Sequence, residues 1–500
     1  MGGAGLIEHV CYNVTCQLRM RRSRVMATVP GACARPFTFI SPALRVSKDR
    51  RMAKNIRRRE FMRIGALALG GLSWPDIIAA RAASGKSAIN TSVIMLYLHG
   101  GPSQLETYDL KPNAPSSYRS VFRPIQTVVP GMEICELFPL QARVADRFSL
   151  VRSLNHDVGI HSDGGIIVLT GKRPSKLDPT SQSKSEHPDF GAVTSRSRAS
   201  AARPLPPYVT IPRKPYMTLP AYLGLHHGPF ELGDPSQESF RAPHLKLAAG
   251  MDGRVLEDRR ALLQQFDNIR RSQDWSQDQA GTDDLRETAF RMLTSPEVAS
   301  AFDISREEPA LRDKYGRNLW GQSCLLARRL AEAGTAVINL FIDTPKSGPE
   351  FTNWDDHILN AGRPGHFADY MRVRLPYLDQ ALATLIEDIF DRGLQREILV
   401  VVVGEFGRTP RLSHNTSGTG RDHWPQAYTA LFSGGGLRMG QVIGATNSKA
   451  EYPVECPYSP SDMLATIYRH LGIDYRQSLL DYSGRPIPIL DDGAPIRELN

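Results

Sequence analysis

The 500-residue sequence is poor in cysteine, and beyond its first 83 residues it has no long apolar run. Three of the six cysteines lie in those first residues, and the other three, Cys135, Cys324 and Cys456, are widely separated. Without a C-x-x-C pair they form neither a zinc–thiolate motif nor a disulfide framework, and buried free thiols are expected. Because a bilayer span needs about 20 apolar residues, no stable membrane span is expected after residue 83.

An excess of positive charge is also missing from most of the chain. The formal net charge is +9, but residues 1–83 hold 15 of the 61 Lys and Arg and only 4 of the 52 Asp and Glu. The remainder has 46 basic and 48 acidic residues, a net charge of about −2. A nucleic-acid partner is therefore not expected.

The basic start has the layout of an export signal. Arg58 and Arg59 precede Phe61, a short apolar run and small residues near Ala80. This order predicts a twin-arginine signal over 52–83, with residues 1–51 as an upstream mis-start. The apolar run is too short for the alternative, a membrane anchor. We expect export to the periplasm or beyond through the twin-arginine machinery, a route for folded, often metal-loaded proteins.

Apolar runs without alternation predict strands that are covered on both faces. Helical patterns separate them, as in a predicted helix over 366–393 that Pro376 is expected to bend or split. The fold class is therefore α/β, with a mostly parallel central sheet flanked by helices in one domain over 88–497. Residues 172–250 read as an irregular insertion and 254–334 as a helical region. The predicted strands cover 91–98, 147–153, 335–342 and 397–403.

Clusters of His, Asp and Glu follow these strands, where ligands collect in such sheets. Imidazole and carboxylate together suit Zn, Mn or Fe, and sets rich in carboxylate suit Mg or Ca. Simpler roles stay open: His99 in a turn, Asp355 or Asp356 as a helix cap, and Glu405 paired with Arg408. The candidate metal ligands are His99, Asp109, Asp157, His357, Glu405, Asp422 and His423.

Five segments together resemble the domain-of-unknown-function 1501 family over roughly residues 90–497. They are "HGGPSQLETYD", "HDVGIHSDGG…LTG", "WDDH", "GEFGRTP" and "GRDHWP". The family is abundant among exported planctomycete proteins. The resemblance implies an alkaline phosphatase-like fold shared with sulfatases, and an activity on phosphate or sulfate esters, including esters on polysaccharides.

The resemblance also implies a changed nucleophile. The family pattern places it ten residues before Gly171, which is His161 here, and Glu405-Phe406 stands where sulfatases have Asp-His. In one mechanism His161 is a metal ligand or a covalent nucleophile, and either a metal-bound hydroxide or the histidine itself attacks the ester. In the other, Ser162 is the nucleophile, with His156 or Asp157 as its base.

Further residues are candidates for holding substrate. Arg408 and Arg421 are expected to clamp the anionic group, or else to form ion pairs. Trp424 is expected to stack on a sugar ring or to lie in the core, and His187 is expected to contact substrate from the insertion. A non-catalytic exported binding protein that uses the same pocket is the alternative function.

Overall fold

The computed structural model describes residues 90–198, 205–238, 240, 294–346, 353–360 and 363–500. The export signal predicted over 52–83, and residues 1–51 before it, lie outside these ranges. An eight-stranded sheet forms the centre. In chain order its strands are β1 (Ser92–Leu98), β2 (Phe148–Leu154), β3 (Tyr208–Ile211), β4 (Phe230–Glu231), β5 (Val337–Ile342), β6 (Ile398–Val403), β7 (Tyr428–Gly434) and β8 (Val442–Ile443).

The spatial order of the sheet is β8-β2-β7-β6-β1-β5-β3-β4. Only β7 runs antiparallel to the others, so the predicted mostly parallel α/β sheet is confirmed. Strand β1 lies in the interior, with Ser92 opposite Ile398 of β6 and Val93 opposite Val337 of β5. All four strands predicted from apolar runs are present.

Both faces of the sheet are covered, which explains why these strands show no alternation. Ile94 and Leu96 of β1 enter one apolar core, whereas Val93 and Met95 enter a second core on the other face. The helices are α1 (Gln104–Thr107), α2 (Pro139–Arg143), α3 (His161–Thr170), α4 (Phe190–Ser197), α5 (Pro296–Phe302), α6 (Pro309–Tyr315), α7 (Leu319–Glu332), α8 (Phe367–Asp391) and α9 (Pro460–His470). Helices α2, α5, α7 and α8 pack in the first core and α3, α4 and α9 in the second.

Short hairpins and single turns decorate the loops. The small strands are Pro124–Gln126, Glu133–Cys135, Leu359–Asn360, Arg363–His366, Gly407–Arg408, Ser413–Asn415, Gly418–Gly420, His423–Trp424, Ala445–Thr446, Pro453–Glu455, Ser478–Leu480 and Pro486–Pro488. The 3₁₀ turns are Ala145–Arg147, Ala221–Leu223, Leu225–His227, Ile304–Arg306 and Arg497–Leu499.

Two expectations need correction. The insertion predicted over 172–250 is not irregular throughout, because it contributes α4 and the sheet strands β3 and β4. Helix α8 is continuous through Pro376 and is not split there. The described part of the predicted helical region, 294–334, does hold α5, α6 and α7.

The three cysteines after residue 83 are free, and two of them are buried as expected. Cys135 and Cys324 are buried free thiols, while Cys456 is free and exposed. Among the described residues, none of the helices combines the length and apolar character needed to cross a membrane.

The imidazole of His470, at the end of α9, makes the fold sensitive to acid. Its Nε2 lies 3.1 Å from the Ser92 carbonyl oxygen, and burial lowers the pKa of His470 to about 4. An unfolded histidine has a pKa of about 6.5. The unfolded chain therefore gains a proton that the folded chain excludes, and stability falls as the pH drops from 6.5 towards 4.

We expect His470→Gln to reduce this acid-dependent loss of folding stability by roughly 2 kcal/mol. Glutamine keeps an N–H donor for the Ser92 carbonyl oxygen but does not titrate. Urea midpoints at several pH values between 7.5 and 4 measure the effect. Parallel pH profiles for the variant and the natural protein would contradict the assignment.

Candidate metal centre

The predicted histidines gather at one edge of the sheet because several strands end there. His99 directly follows β1, His156 lies two residues after β2, and Glu405 lies two residues after β6. His423 precedes β7, and an antiparallel strand begins at the edge where parallel strands end. Residues more than three hundred positions apart are thus brought together.

Gly100 allows a further segment to enter this edge. Its φ of +116° is a left-handed conformation, and a Cβ on Gly100 would lie 2.5 Å from the Asp355 amide nitrogen. Only glycine fits both conditions. The neighbouring Trp354 is fully buried and stacks on Trp320, with 5.8 Å between ring centroids. This anchoring fixes where Asp355 enters the site.

Three imidazoles point at one carboxylate oxygen. The Nε2 atoms of His161, His357 and His423 lie 3.3, 2.9 and 3.0 Å from Asp355 Oδ1. Ligand atoms from His161, Asp355 and His423 all lie within 4.8 Å of one another. Each of the four side chains is 17 to 29% exposed, so one side of the cluster faces solvent.

The other nitrogen of each imidazole is held from behind. His161 Nδ1 lies 2.6 Å from Glu405 Oε1, and His357 Nδ1 lies 2.8 Å from Asp422 Oδ1. His423 Nδ1 lies 2.7 Å from the carbonyl oxygen of Gly159. Carbonyl and ionised carboxylate oxygens only accept hydrogen bonds, so each Nδ1 donates its hydrogen to the outer partner, and each Nε2 is left to face Asp355 or a cation. This is the arrangement in which outer partners orient metal-binding histidines.

A cation fits the centre. The Nε2 atoms of His357 and His423 are only 2.9 Å apart. This contact needs a proton on one of the two Nε2 atoms, and a bound cation would take the place of that proton. Three imidazoles and one carboxylate are a suitable donor set for a transition metal.

Negative charge is stabilised inside this cluster. Burial would raise the pKa of Asp355, but hydrogen bonds from the three imidazoles and the Arg408 charge hold it far below its usual range. Burial opposes ionisation of Glu405 too, yet His99 and His161 lower its pKa to about 2. Although burial disfavours its charged form, these carboxylates raise the pKa of His161 to about 9. The two carboxylate charges are offset by Arg408 and by a protonated His161, whose proton a bound cation would displace.

A family model described as "Protein of unknown function (DUF1501)" matches residues 90–500. The chain belongs to this family. No protein of curated function matches it.

Several solved structures resemble this DUF1501 chain at low identity. A lipoteichoic acid synthase from Listeria monocytogenes is 11% identical, with a TM-score of 0.34 over 81% of this chain and 76% of that one. A putative sulfatase from Bacteroides thetaiotaomicron is 10% identical, with a TM-score of 0.35 over 81% and 73%. A sulfatase from Pseudoalteromonas sp. is 11% identical, with a TM-score of 0.34 over 84% and 72%. These similarities are too distant to assign an activity.

The DUF1501 motifs contribute unequally to the centre. Glu405 and Asp422, predicted as ligands, lie behind His161 and His357 and hold their Nδ1 atoms. Asp355, which the sequence also allowed as a helix cap, lies at the middle of the cluster. The second acidic residue of "WDDH", Asp356, is buried and pairs with Arg374 at 2.5 Å.

Two predicted residues near the centre have other partners. His99 Nδ1 is buried and lies 3.6 Å from Glu405 Oε1, and it has no hydrogen-bond partner among the described residues. His156 is occupied at both nitrogens, since Nε2 lies 2.6 Å from the Glu405 carbonyl oxygen and Nδ1 accepts from the Val158 amide. In this arrangement neither nitrogen of His156 is free to accept a proton from Ser162.

Ser162 is fully buried, and its hydroxyl donates to Asp163 Oδ2 at 2.7 Å. It does not open towards the cluster edge as a nucleophile would. Helix α3, which carries both His161 and Ser162, ends at Thr170 and is followed by Gly171, which has a left-handed φ of +70°.

The two predicted anion clamps are consumed inside the protein. Arg408 is fully buried and contacts Asp355 Oδ1 at 2.6 Å as well as the carbonyl oxygens of Gly100 and Gly101. Arg421 is fully buried and forms two 2.9 Å hydrogen bonds to Glu106. Both are buried in ion pairs, so of the two roles that the sequence left open the structure shows the ion pair and not the anion clamp.

The remaining candidates have contacts elsewhere. Asp109 contacts Lys111 at 3.0 Å and Thr446 at 2.5 Å, and the exposed Asp157 pairs with Arg173. His187 lies beside Tyr222, with 5.9 Å between ring centroids. Trp424 donates to the Glu451 carbonyl oxygen at 2.6 Å and lines a separate cavity of about 630 Å³.

Proposed function

We propose that this chain is a metal-dependent hydrolase of phosphate or sulfate esters, with one divalent ion held by three histidines and one aspartate. One observation carries the proposal: the Nε2 atoms converge on Asp355 while every Nδ1 is already bonded behind. Mainly imidazole ligands favour zinc, manganese or iron over magnesium and calcium, which prefer oxygen. The proposed ligands are His161, His357, His423 and Asp355.

An ion held there would polarise an ester oxygen and lower the pKa of a water molecule near it. The protein's own groups prepare the site. Glu405 and Asp422 fix the tautomers of His161 and His357, and Arg408 holds Asp355 in place. Such outer partners raise the basicity of the ligands and keep their rings from turning. The exposed side of the cluster is where an ester would approach.

The geometry favours attack by water over attack by a side chain. Ser162 is buried against Asp163, and its proposed base His156 has no free nitrogen. The other proposed base, Asp157, is exposed and paired with Arg173. His161 Nε2 is directed at Asp355 among the other imidazoles, as a ligand would be.

Metal removal tests this function. The full chain, stripped with a chelator and reloaded with zinc or manganese, is expected to hydrolyse an aryl phosphate or aryl sulfate only when loaded. His423→Ala is expected to remove both the bound metal and turnover, whereas Ser162→Ala keeps both because Ser162 is not a nucleophile in this mechanism.

Turnover that survives metal removal would contradict the proposal. Metal binding without turnover of either ester would favour the alternative, an exported binding protein with the same centre. Export itself is part of the proposal and rests on the twin arginines Arg58 and Arg59.

A further inference from the structure

Two exposed cations lie on aromatic rings that lead outward from the candidate metal centre. The rings of His161 and His99 are 5.7 Å apart, and those of His99 and Phe341 are 4.8 Å apart. The guanidinium of Arg213 lies 4.8 Å from the Phe341 ring. These steps place the guanidinium at most about 15 Å from the His161 ring.

A second arm leaves His99 through Tyr216. Their rings meet edge to face at 5.6 Å, and Lys184 Nζ lies 5.1 Å from the Tyr216 ring. Lys184 is exposed, and its ammonium also donates to the Tyr216 carbonyl oxygen. His99 is thus walled by two rings, each with a cation on it.

Both cations are available to a ligand, unlike the buried Arg408 and Arg421. The side chain of Arg213 is 56% exposed and pairs with Asp343 at 2.8 Å. A solvated ion pair of this kind contributes at most about 1 kcal/mol, so an anionic ligand can replace it. Guanidinium also matches the oxygens of phosphate and sulfate.

We infer that Arg213 and Lys184 form an anion-binding rim, and that the substrate carries a second anionic group beside the ester that is cleaved. The inference rests on the proposed function for the reacting ester. Among the described residues, neither cation contacts any of the four proposed metal ligands, and each lies on a ring beside His99 instead. We therefore assign the two cations to a second anionic group and not to the reacting ester. The rim therefore selects multiply charged esters over simple ones.

Binding of two probes tests the rim without any turnover: dextran sulfate as a polymer and inositol hexakisphosphate as a compact polyanion. In low salt the variant with both Arg213→Ala and Lys184→Ala is expected to bind at least tenfold more weakly whichever of the two probes the natural protein binds. Arg213→Lys is expected to retain most of the affinity. Arg485→Ala is the matched control, because Arg485 is 74% exposed and also paired with a carboxylate, Asp481. Its affinity should equal that of the natural protein.

The two probes distinguish a polymeric from a compact substrate. No binding of either probe, or equal affinities for the double variant and the natural protein, would overturn the rim. If esters are turned over, KM for a polyanionic ester should rise about tenfold in the double variant while kcat stays unchanged. KM for an aryl sulfate should not move, and a fall in kcat on both substrates would also overturn the rim. If the double variant binds the probe more weakly but the natural protein cleaves no ester, the anion-binding rim would be supported and the proposed hydrolase function refuted.

Discussion

Replacing Asp355 with alanine is expected to lower the affinity for zinc by more than the roughly 10- to 100-fold that loss of an outer hydrogen-bond partner costs. Asp355 supplies the carboxylate on which three Nε2 atoms converge. Its loss also leaves the Arg408 guanidinium, now 2.6 Å from Asp355 Oδ1, facing the ion without an intervening negative charge. Both effects lower the affinity for zinc.

Zinc affinity measured by competition with a chelator, together with metal content after purification, checks this expectation. Asp422→Asn should show the smaller loss, because Asp422 only orients His357. Asp157→Asn is the control: the sequence made Asp157 a candidate ligand, but it is exposed and paired with Arg173, so its affinity should not change. Natural affinity in Asp355→Ala, with its fold intact by circular dichroism, would refute the proposed ligand set.

The fold was predictable because burial leaves a direct trace in the sequence. Strands β1, β2, β5 and β6 lie in the sheet with both faces covered, and such strands read as unbroken apolar runs. Strand β3 was missed because it has only four residues and lies among prolines, in "RPLPPYVTIPRKP". Its place beside β5 depends on partners more than a hundred residues away.

The types of residue at the candidate site were predictable from the sequence, but which of their side chains point into the centre was not. Strand ends pointed to His161 and His357, the later segment "GRDHWP" pointed to His423, and the structure brings these three together. Asp355 stayed open as a helix cap because nothing local distinguishes it from Asp356. Their different positions follow from the conformation of Gly100 and the burial of Trp354, which are long-range constraints.

The buried arginines show the same limit. Arg408 and Arg421 were expected to bind an anion because guanidinium matches phosphate and sulfate oxygens. Glu106, the partner of Arg421, is 315 residues away in the sequence, so their pairing has no local signal. A charged side chain can be assigned to substrate or to the core only when its partners are known.

The Glu106–Arg421 pair leads to the second large effect. Both side chains are fully buried, and Arg421 also donates to the carbonyl oxygens of Thr409, Tyr118 and Arg119. We expect Glu106→Gln to reduce the free energy of unfolding by about 3–5 kcal/mol, because it leaves a guanidinium buried without its counter-charge. Urea denaturation at neutral pH measures the loss.

A double variant separates the role of this pair in folding from a role in substrate binding. Replacing both charges, with Glu106→Leu and Arg421→Met, removes the uncompensated charge and should destabilise the chain less than Glu106→Gln alone. If Arg421 instead clamped the substrate, Arg421→Met would raise KM and leave the urea midpoint unchanged. Because Arg421 is followed directly by Asp422 and His423, a stability loss that spreads to this segment should also weaken metal binding. The buried Glu106–Arg421 pair would then affect catalysis only indirectly. It would hold the loop that carries the proposed ligand His423 and Asp422, the partner of His357.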